Sequence, residues 1–299
     1  MKVDWIKKTK EGIQVKDGSF YVDPIYPVKT AIITHGHADH ARAGHEHVIA
    51  TLETLEIMKE RYGSNFCKKS TELKYHEKLI IEEVEIFLAP AGHVLGSAQV
   101  VMNFANQVIT VSGDYKRQDD PTCAAFEPIK SDIFITEATF ALPVFKHPNA
   151  NTQINLLIKS IQNFPERCHV IGVYSLGKAQ RLIKMLRNNG WHNTIYLHGS
   201  LVKICNLYEK FGIDLGDLEP ATIQDKPEKP HDFYKGKLIL APPSALADRW
   251  SRRFPDPILG MASGWMTVKQ RAKQRGINLP LILSDHADWN EILTTIKEV

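Results

Sequence analysis

The chain has 299 residues, of which 43% are hydrophobic and 24% are charged. This composition is ordinary for globular proteins and excludes an intrinsically disordered or fibrous chain. The length predicts about two domains, since domains typically contain roughly 100–200 residues. The formal net charge of +3 is too small to identify a nucleic-acid partner by itself.

Short apolar runs that end at a polar side chain recur through the N-terminal half. The runs at 31–34, 84–88, 108–111 and 133–136 lead towards four such side chains, namely His35, His93, Asp114 and Glu137. In layered α/β proteins, ligand sites collect where strands end. The repetition therefore predicts a functional site at these strand ends.

From about Phe140 the pattern changes to strands that alternate with helical stretches. Apolar runs at 169–173, 194–197 and 237–240 are separated by helical segments. This alternation predicts βαβ units and a parallel sheet. A final run at 281–284 leads to Asp285 and His286, as the runs in the N-terminal half do.

The N-terminus, taken as residues 1–8, shows neither the apolar core of a signal peptide nor the start of the roughly 20-residue apolar run that a membrane span needs. We therefore expect a soluble, cytoplasmic protein without a membrane partner. The four cysteines are widely spaced, without a Cys-x-x-Cys pair, which argues against a thiolate zinc site and a disulfide framework.

Residues 34–40 carry the densest cluster of potential metal ligands. The sequence Thr-His-Gly-His-Ala-Asp-His places three histidines and one aspartate within six residues, at His35, His37, Asp39 and His40. Imidazole and carboxylate groups are good ligands for zinc and similar divalent ions. The alternative is a solvated, histidine-rich loop. The nearby His45 and His47 are not expected to bind metal, and we expect them to be structural or solvated residues.

The sequence resembles the metallo-β-lactamase superfamily, in which this motif is followed by a lone histidine and then a lone aspartate. His93 and Asp114 stand at the matching places. The resemblance implies two divalent ions, expected to be zinc with manganese as the alternative, that activate a water and stabilise a charged transition state. It implies the following ligands: His35, His37 and His93 for one ion, Asp39 and His40 for the other, and Asp114 as the bridge. Asp39 is also expected to act in catalysis, and Asp23 to orient the ligands from behind.

Two further motifs resemble those of the β-CASP nucleases. Thr-Glu-Ala-Thr-Phe contains Glu137, and Leu-Ser-Asp-His-Ala-Asp-Trp contains His286. The resemblance implies that His286 protonates the leaving oxygen of a phosphodiester, a role that suits imidazole at neutral pH, while Glu137 supports it. Taken singly, Glu137 could cap a turn and His286 could begin a helix.

The resemblance covers nearly the whole chain and implies a fold. That fold is α/β, a metallo-β-lactamase αββα sandwich with an inserted β-CASP cap domain, whose parallel sheet is flanked by helices. The expected boundaries are 1–143 for the first part of the sandwich, 144–276 for the cap and 277–299 for the return to the sandwich.

Several polar residues of the expected cap domain are candidates for phosphate contacts. Ser175 and Lys178 lie at a helix start, Ser175 directly before and Lys178 within a Leu-Gly-Lys-Ala-Gln element similar to one in β-CASP proteins. The other candidates follow the strand run at 237–240 or belong to the basic region 249–275, namely Ser244, Arg249, Arg252 and Arg253. A solvated basic face is the alternative. Trp250 and Trp265 could stack on bases, although buried anchoring is the preferred interpretation.

Within the β-CASP enzymes, the sequence is most similar to a compact bacterial exonuclease family associated with ATP-dependent DNA ligase. Pro-Pro-Ser-Ala at 242–245, the run at 262–266 and Ser-Asp-His-Ala-Asp-Trp at 284–289 carry this similarity. That family is assigned to DNA repair. The resemblance therefore implies a metal-dependent exonuclease of single-stranded or frayed DNA ends, with DNA as partner and a functional association with the ligase.

Many β-CASP proteins add a third motif, with a histidine that completes the second metal site. Here the sequence ends at Val299, so it either stops before that ligand or holds the second ion through Asp39, His40, Asp114 and water. Three other functions stay open: a β-CASP ribonuclease in RNA processing, a small-molecule metallo-hydrolase, and an inactive nucleic-acid-binding subunit. A long basic cap argues against the small-molecule hydrolase.

Overall fold

The computed structural model describes residues 4–222, 230–254 and 256–299, which form two compact units of mixed α/β structure. Unit 1 comprises the described residues of Met1–Ala141 together with Trp289–Val299, and unit 2 comprises those of Leu142–Asp288. Unit 1 resumes at Trp289 rather than at residue 277, because the intervening strand Leu279–Leu281 pairs within the sheet of unit 2.

Unit 1 contains two β-sheets. The first has six strands in chain order: β1 (Ile6–Lys8), β2 (Ile13–Val15), β3 (Phe20–Val22), β4 (Thr30–Ile32), β5 (His45–Ala50) and β6 (Cys67–Glu72). The second has five strands in the order β11-β10-β9-β8-β7: β7 (Leu79–Ile81), β8 (Val84–Pro90), β9 (Ala98–Phe104), β10 (Gln107–Val111) and β11 (Ile133–Ile135).

The two sheets of unit 1 share one apolar core. Buried side chains of both sheets, including Val22, Ile32, Leu88 and Val100, form a single cluster. Because successive residues of a strand face opposite sides, Ile33 on the other face belongs to a second cluster. The alternation of apolar residues along these strands thus buries both faces of the first sheet.

The described residues of unit 1 include two α-helices. Helix α1 (Leu52–Tyr62) begins after Thr51, whose side-chain oxygen accepts a hydrogen bond from the Thr54 N–H, as expected for a helix cap. Leu55 of α1 packs in the second cluster, which covers the outer face of the first sheet. The last helix of the chain, α7 (Trp289–Glu298), is joined to the rest of unit 1 through Arg117, which contacts Glu298 and Thr295.

Unit 2 is built on a six-stranded, parallel sheet in the order β14-β13-β15-β12-β16-β17. Its strands are β12 (His169–Gly172), β13 (Ile195–Leu197), β14 (Leu218–Pro220), β15 (Leu238–Ala241), β16 (Ile258–Ala262) and β17 (Leu279–Leu281). Its helices are α2 (Ala150–Asn163), α3 (Lys178–Asn188), α4 (Gly199–Lys210), α5 (Pro230–Phe233) and α6 (Lys269–Gln274). The alternation of strands and helices in the sequence therefore predicted this parallel sheet correctly. All six strands end at the same edge.

Among the described residues, no helix combines the length and the apolar character that a membrane crossing requires.

Candidate metal centre

The ligands expected for the first metal ion lie in three loops of unit 1. His35 and His37 belong to the loop after β4, His93 to the loop between β8 and β9, and Asp114 to the loop after β10. His35 and His93 are buried, while His37 and Asp114 are half-buried. The four residues therefore come from both sheets, although 79 positions separate the first from the last in sequence (114 − 35).

The donor atoms of these four residues lie at ligand spacing. The His37 Nδ1 atom is 3.1 Å from Nε2 of His35 and 2.9 Å from Nε2 of His93. The Asp114 Oδ2 atom is 3.5 Å from Nε2 of His35 and 3.7 Å from Nε2 of His93. Tetrahedral zinc with bonds of about 2.0–2.1 Å requires ligand atoms about 3.3 Å apart. The residues present therefore fit one divalent ion.

His40 approaches the same carboxylate from another side. Its Nε2 atom lies 3.5 Å from Oδ2 of Asp114, so one aspartate oxygen is close to His40, His35 and His93. This position suits a carboxylate shared by two ions. Asp39 is exposed in the same loop and, with His40 and Asp114, lines a cavity of about 480 Å³.

Asp23 fixes the orientation of two ligand loops. Its carboxylate accepts hydrogen bonds from the Thr34 N–H at 2.8 Å and the Thr34 hydroxyl at 2.6 Å. The other ring nitrogen of His40, Nδ1, is 2.7 Å from the same carboxylate. With Nδ1 held in this way, the Nε2 atom of His40 is turned towards Asp114.

The acidic surroundings of His40 alter its protonation. Burial acts to lower the pKa of His40, but the hydrogen bond and charge of Asp23, with the charges of Asp114 and Asp39, raise that pKa to about 9. The environment therefore favours a positive charge at this position. A divalent ion would supply that charge and displace the proton.

Sequence reasoning missed three residues that support the ligands. The Thr34 hydroxyl lies 3.0 Å from Nδ1 of His35, and Ser97 accepts a hydrogen bond from the His93 N–H at 3.0 Å. Gly113 has a φ of +56°, and a Cβ there would lie 2.7 Å from the Cβ of Thr34. All three adjoin the motifs, which was the available signal, but their roles depend on contacts between distant loops.

Glu137 lies in unit 1 and lines the same cavity as Asp39, His40 and Asp114. Its carboxylate accepts a hydrogen bond from the Tyr115 N–H at 2.8 Å, and its own N–H donates to the Ser112 hydroxyl at 3.2 Å. These two hydrogen bonds hold Glu137 against Ser112 and Tyr115, the residues on either side of Gly113 and Asp114 in the chain.

His286 lies in unit 2, in the segment that follows β17, and is half-buried. Its N–H donates to the Ser284 hydroxyl at 3.0 Å, and that hydroxyl donates to the His286 carbonyl at 3.0 Å. These hydrogen bonds close a tight turn immediately before His286.

The expected phosphate contacts differ in exposure. Ser244, Arg249 and Arg252 are exposed, whereas Ser175 and Arg253 are half-buried. Exposed guanidinium groups suit a phosphate backbone, which is bound mainly through charge.

Lys178 departs from the expected phosphate contact. Its side chain is buried, and its ammonium group contacts the Asp285 carboxylate at 2.8 Å and the Leu283 carbonyl at 3.0 Å. Lys178 is therefore part of a buried ion pair, because its ammonium group is bound by the loop that follows β17 rather than exposed at the surface.

Three aromatic contacts favour buried anchoring of the tryptophans. The Trp250 ring packs against His198 and Phe254, with centroids 4.8 and 5.0 Å apart, and Trp265 packs against Phe145 at 5.2 Å.

Two further histidines of unit 1 follow the metal-ligand motif in the sequence. His45 is buried, and Nε2 of His47 lies 2.8 Å from the Thr71 hydroxyl. Both histidines therefore have the structural role that we expected.

No protein-family model matches the chain. A probable DNA ligase from Opitutus terrae is 25% identical over 308 residues, which cover 99% of this chain and 28% of that protein. Cleavage and polyadenylation specificity factor 73 from Drosophila melanogaster is 33% identical over 147 residues, covering 46% of this chain and 21% of the factor. Endoribonuclease YSH1 from Gibberella zeae is 30% identical over 138 residues, covering 44% of this chain and 16% of that enzyme.

These matches confirm the resemblance seen in the sequence: the chain is related at the family level to metallo-β-lactamase-fold β-CASP nucleases and to a DNA ligase-linked protein. The chain spans less than a third of the length of these relatives. A crystal structure of a protein of unknown function from Enterococcus faecalis V583 has a TM-score of 0.59 and 14% identity. It covers 90% of this chain and 73% of its own, so the two share a fold.

Proposed function

We propose that the chain is a metal-dependent phosphodiesterase that removes nucleotides from single-stranded or frayed DNA ends, in DNA repair. The observation that carries this proposal is the group of three imidazole nitrogens and one carboxylate oxygen in unit 1. In this proposal unit 1 is the metallo-β-lactamase sandwich and unit 2 is the β-CASP cap.

The donor set supports zinc, with manganese as the alternative. His35, His37, His93 and Asp114 would hold the first ion, since nitrogen ligands and one carboxylate suit zinc. Asp39, His40 and the shared Asp114 would hold the second. When bound, two such ions activate a water and neutralise the charge that develops on the phosphate.

Side chains of the protein supply the proton that the leaving oxygen needs. We assign His286 as the acid that protonates the leaving oxygen, because an alkoxide is a poor leaving group and imidazole exchanges protons at neutral pH. Glu137, whose carboxylate is fixed by the Tyr115 N–H, is assigned the supporting role. Asp39 is exposed in the ligand loop and is assigned a catalytic role besides its role as a ligand.

The substrate backbone would be bound by charge and hydroxyl groups of unit 2. Arg249 and Arg252 are exposed, and so is Ser244, which follows the carboxyl end of β15. Half-buried Ser175 and Arg253 are assigned the same role. Lys178 is left out of this set, since its ammonium is engaged with Asp285.

The extent of the similarities favours DNA over RNA. The match to the probable DNA ligase covers 99% of this chain, whereas the matches to the polyadenylation factor and the endoribonuclease cover 46% and 44%. The first match also supports a functional association with an ATP-dependent ligase. RNA processing is the second candidate, favoured by the endoribonuclease match.

Cleavage of labelled single strands tests the proposal. DNA and matched RNA, each labelled at either end, are incubated with zinc or manganese and either the wild type or the Asp114→Ala variant. Stepwise, metal-dependent loss of DNA from one end, absent in the variant, is expected. RNA cleavage would promote the second candidate, and metal binding without any cleavage would contradict both in favour of a binding subunit or a small-molecule hydrolase.

A further inference from the structure

The segment that carries His286 follows β17 in unit 2 and is held by hydrogen bonds and ion pairs at both ends and in its middle. We call residues 282–288 the strand-end segment. Gln153 of α2 accepts a hydrogen bond from the Ile282 N–H at 2.9 Å. At the other end, Asp288 accepts one from the His147 N–H at 2.8 Å.

Two cations of helix α3 hold the middle of the strand-end segment. Lys178 contacts the Leu283 carbonyl at 3.0 Å and the Asp285 carboxylate at 2.8 Å. Arg181 donates to the Ser284 carbonyl, and its guanidinium lies 3.7 Å from the same carboxylate. The three residues directly before His286 are thus all bound by one face of α3.

This arrangement is buried. Lys178 is 3% exposed, Arg181 is 0% exposed and Asp285 is 4% exposed. Buried ion pairs contribute little to stability, because the cost of removing charges from water offsets their attraction. Well-packed apolar side chains at these positions would stabilise the fold at least equally. The specific contribution of the ion pairs is directional, since each one fixes a carbonyl or carboxylate oxygen at a defined place.

We propose that Lys178 and Arg181 are positioning residues that fix the backbone from which His286 projects. This inference rests on the proposed function, in which His286 delivers a proton to the leaving oxygen. Proton transfer requires the donor within hydrogen-bond reach, and a misplacement of about 1 Å can cost roughly 100-fold in rate. Loss of Lys178 should therefore impair the step that needs the acid and spare the other steps.

The experiment compares two variants of α3. Lys178→Met keeps the length of the side chain but removes the ammonium group. The matched control is Arg187→Met, since Arg187 is a buried cation of the same helix that binds only carbonyls outside the strand-end segment, those of Leu215, Trp191, Asn193 and Asp217. A general loss of folding would affect both variants.

Two substrates separate proton delivery from the rest of the reaction. A DNA oligonucleotide has an alkoxide leaving group that requires protonation, whereas the p-nitrophenyl ester of thymidine 5′-monophosphate has a leaving group that departs without it. For Lys178→Met we expect kcat on the oligonucleotide to fall about 10- to 100-fold. We expect kcat on the ester to change by less than about twofold, as we also expect for His286→Ala. Lys178→Arg should recover part of the loss.

A combined variant and an exchange measurement complete the test. In Lys178→Met/His286→Ala, the first substitution should add little to the second, because both act through one group. Amide hydrogen exchange of residues 282–288 should accelerate in Lys178→Met and stay unchanged in Arg187→Met.

Equal losses on the two substrates, or full activity of Lys178→Met, would overturn the positioning role. Unchanged exchange of the strand-end segment would overturn it as well. A wild type that cleaves neither substrate would refute the proposed function, while the exchange measurement would still decide whether α3 fixes this segment.

Discussion

The two units each contain a polar cluster with buried members, and the two clusters have opposite chemistry. In unit 1, His35, His37 and His93 face Asp114, so the cluster consists of groups that donate electron pairs. In unit 2, the Asp285 carboxylate lies against the cations of Lys178 and Arg181, so that cluster contains its own counter-charges. An aspartate after a strand therefore suits a metal ion in one unit and an internal ion pair in the other.

The largest expected effect is the loss of the Asp114 carboxylate. Asp114→Ala should reduce kcat about 1,000-fold or more and lower the bound metal, since the residue is assigned to both ions. Metal content by mass spectrometry and cleavage of end-labelled DNA are the measurements. Asp119→Ala, at an exposed position nearby, should keep both properties. Full activity of Asp114→Ala would refute the metal assignment.

Removing the carboxylate of unit 2 should act on stability rather than on metal binding. Asp285→Ala leaves two buried cations without their carboxylate, which costs about 3–5 kcal/mol of unfolding free energy. Urea denaturation checks the stability, and metal content should equal that of the wild type. If Asp285→Ala instead had reduced metal content and normal stability, the assignment of Asp285 to an internal ion pair would be contradicted.

Asp23→Ala tests how the ligands of unit 1 are oriented. Thr34 and His40 would lose their shared hydrogen-bond acceptor, so metal affinity should fall about 10- to 100-fold. Titration with a metal-sensitive dye in competition measures the affinity. His47→Ala, which removes a contact to Thr71 on the same sheet, should leave it unchanged.

We expect His169 to contribute to the acid sensitivity of unit 2. Burial lowers the pKa of His169 to about 4, from about 6.5 in the unfolded chain. The unfolded state then binds more protons between these values, so stability falls as the pH drops through that window, by about 1–3 kcal/mol. Urea unfolding with chelator at about pH 7 and pH 5 measures the fall. His169→Gln should show a smaller one, and an equal fall would show that other groups cause it.

The smallest expected effect concerns the exposed arginines of unit 2. Arg249→Ala/Arg252→Ala should weaken single-stranded DNA binding at low salt and make it less dependent on salt. Each lost phosphate contact reduces the slope of log K against log salt by about 0.7. Fluorescence anisotropy at several salt concentrations gives the slope, and Lys184→Ala, whose ammonium is bonded to the Asp214 carbonyl, is the control. An unchanged slope would remove both arginines from the proposed interface.

The sequence predicted the parallel sheet of unit 2 because apolar strand-like runs alternate with helical stretches, a pattern that local composition reveals. It also pointed to His35, His93 and Asp114, since each comes after an apolar run, and to His37 through the histidine-rich motif. The family resemblance then added the order of the motifs. Local pattern was sufficient because the end of a strand determines where the next side chain lies.

The contacts of Lys178 could not be predicted in the same way. Asp285 lies 107 positions further along the chain (285 − 178), and the local sequence around Lys178 also fits an exposed helix start that binds phosphate. The place where unit 1 resumes depends on a similar contact, since Leu279–Leu281 joins the sheet of unit 2 through pairing with β16. Long-range pairing determines both, and a single sequence carries no direct record of it.

The discontinuity of unit 1 has a consequence for synthesis on the ribosome. Both of its sheets are translated before unit 2, whereas α7, which contacts Arg117 through Glu298 and Thr295, is translated after it. Domains generally fold as units while the chain emerges, at about 5–20 residues per second. Unit 1 therefore receives its last helix only after the whole of unit 2 has been made, so its assembly is completed after the synthesis of unit 2.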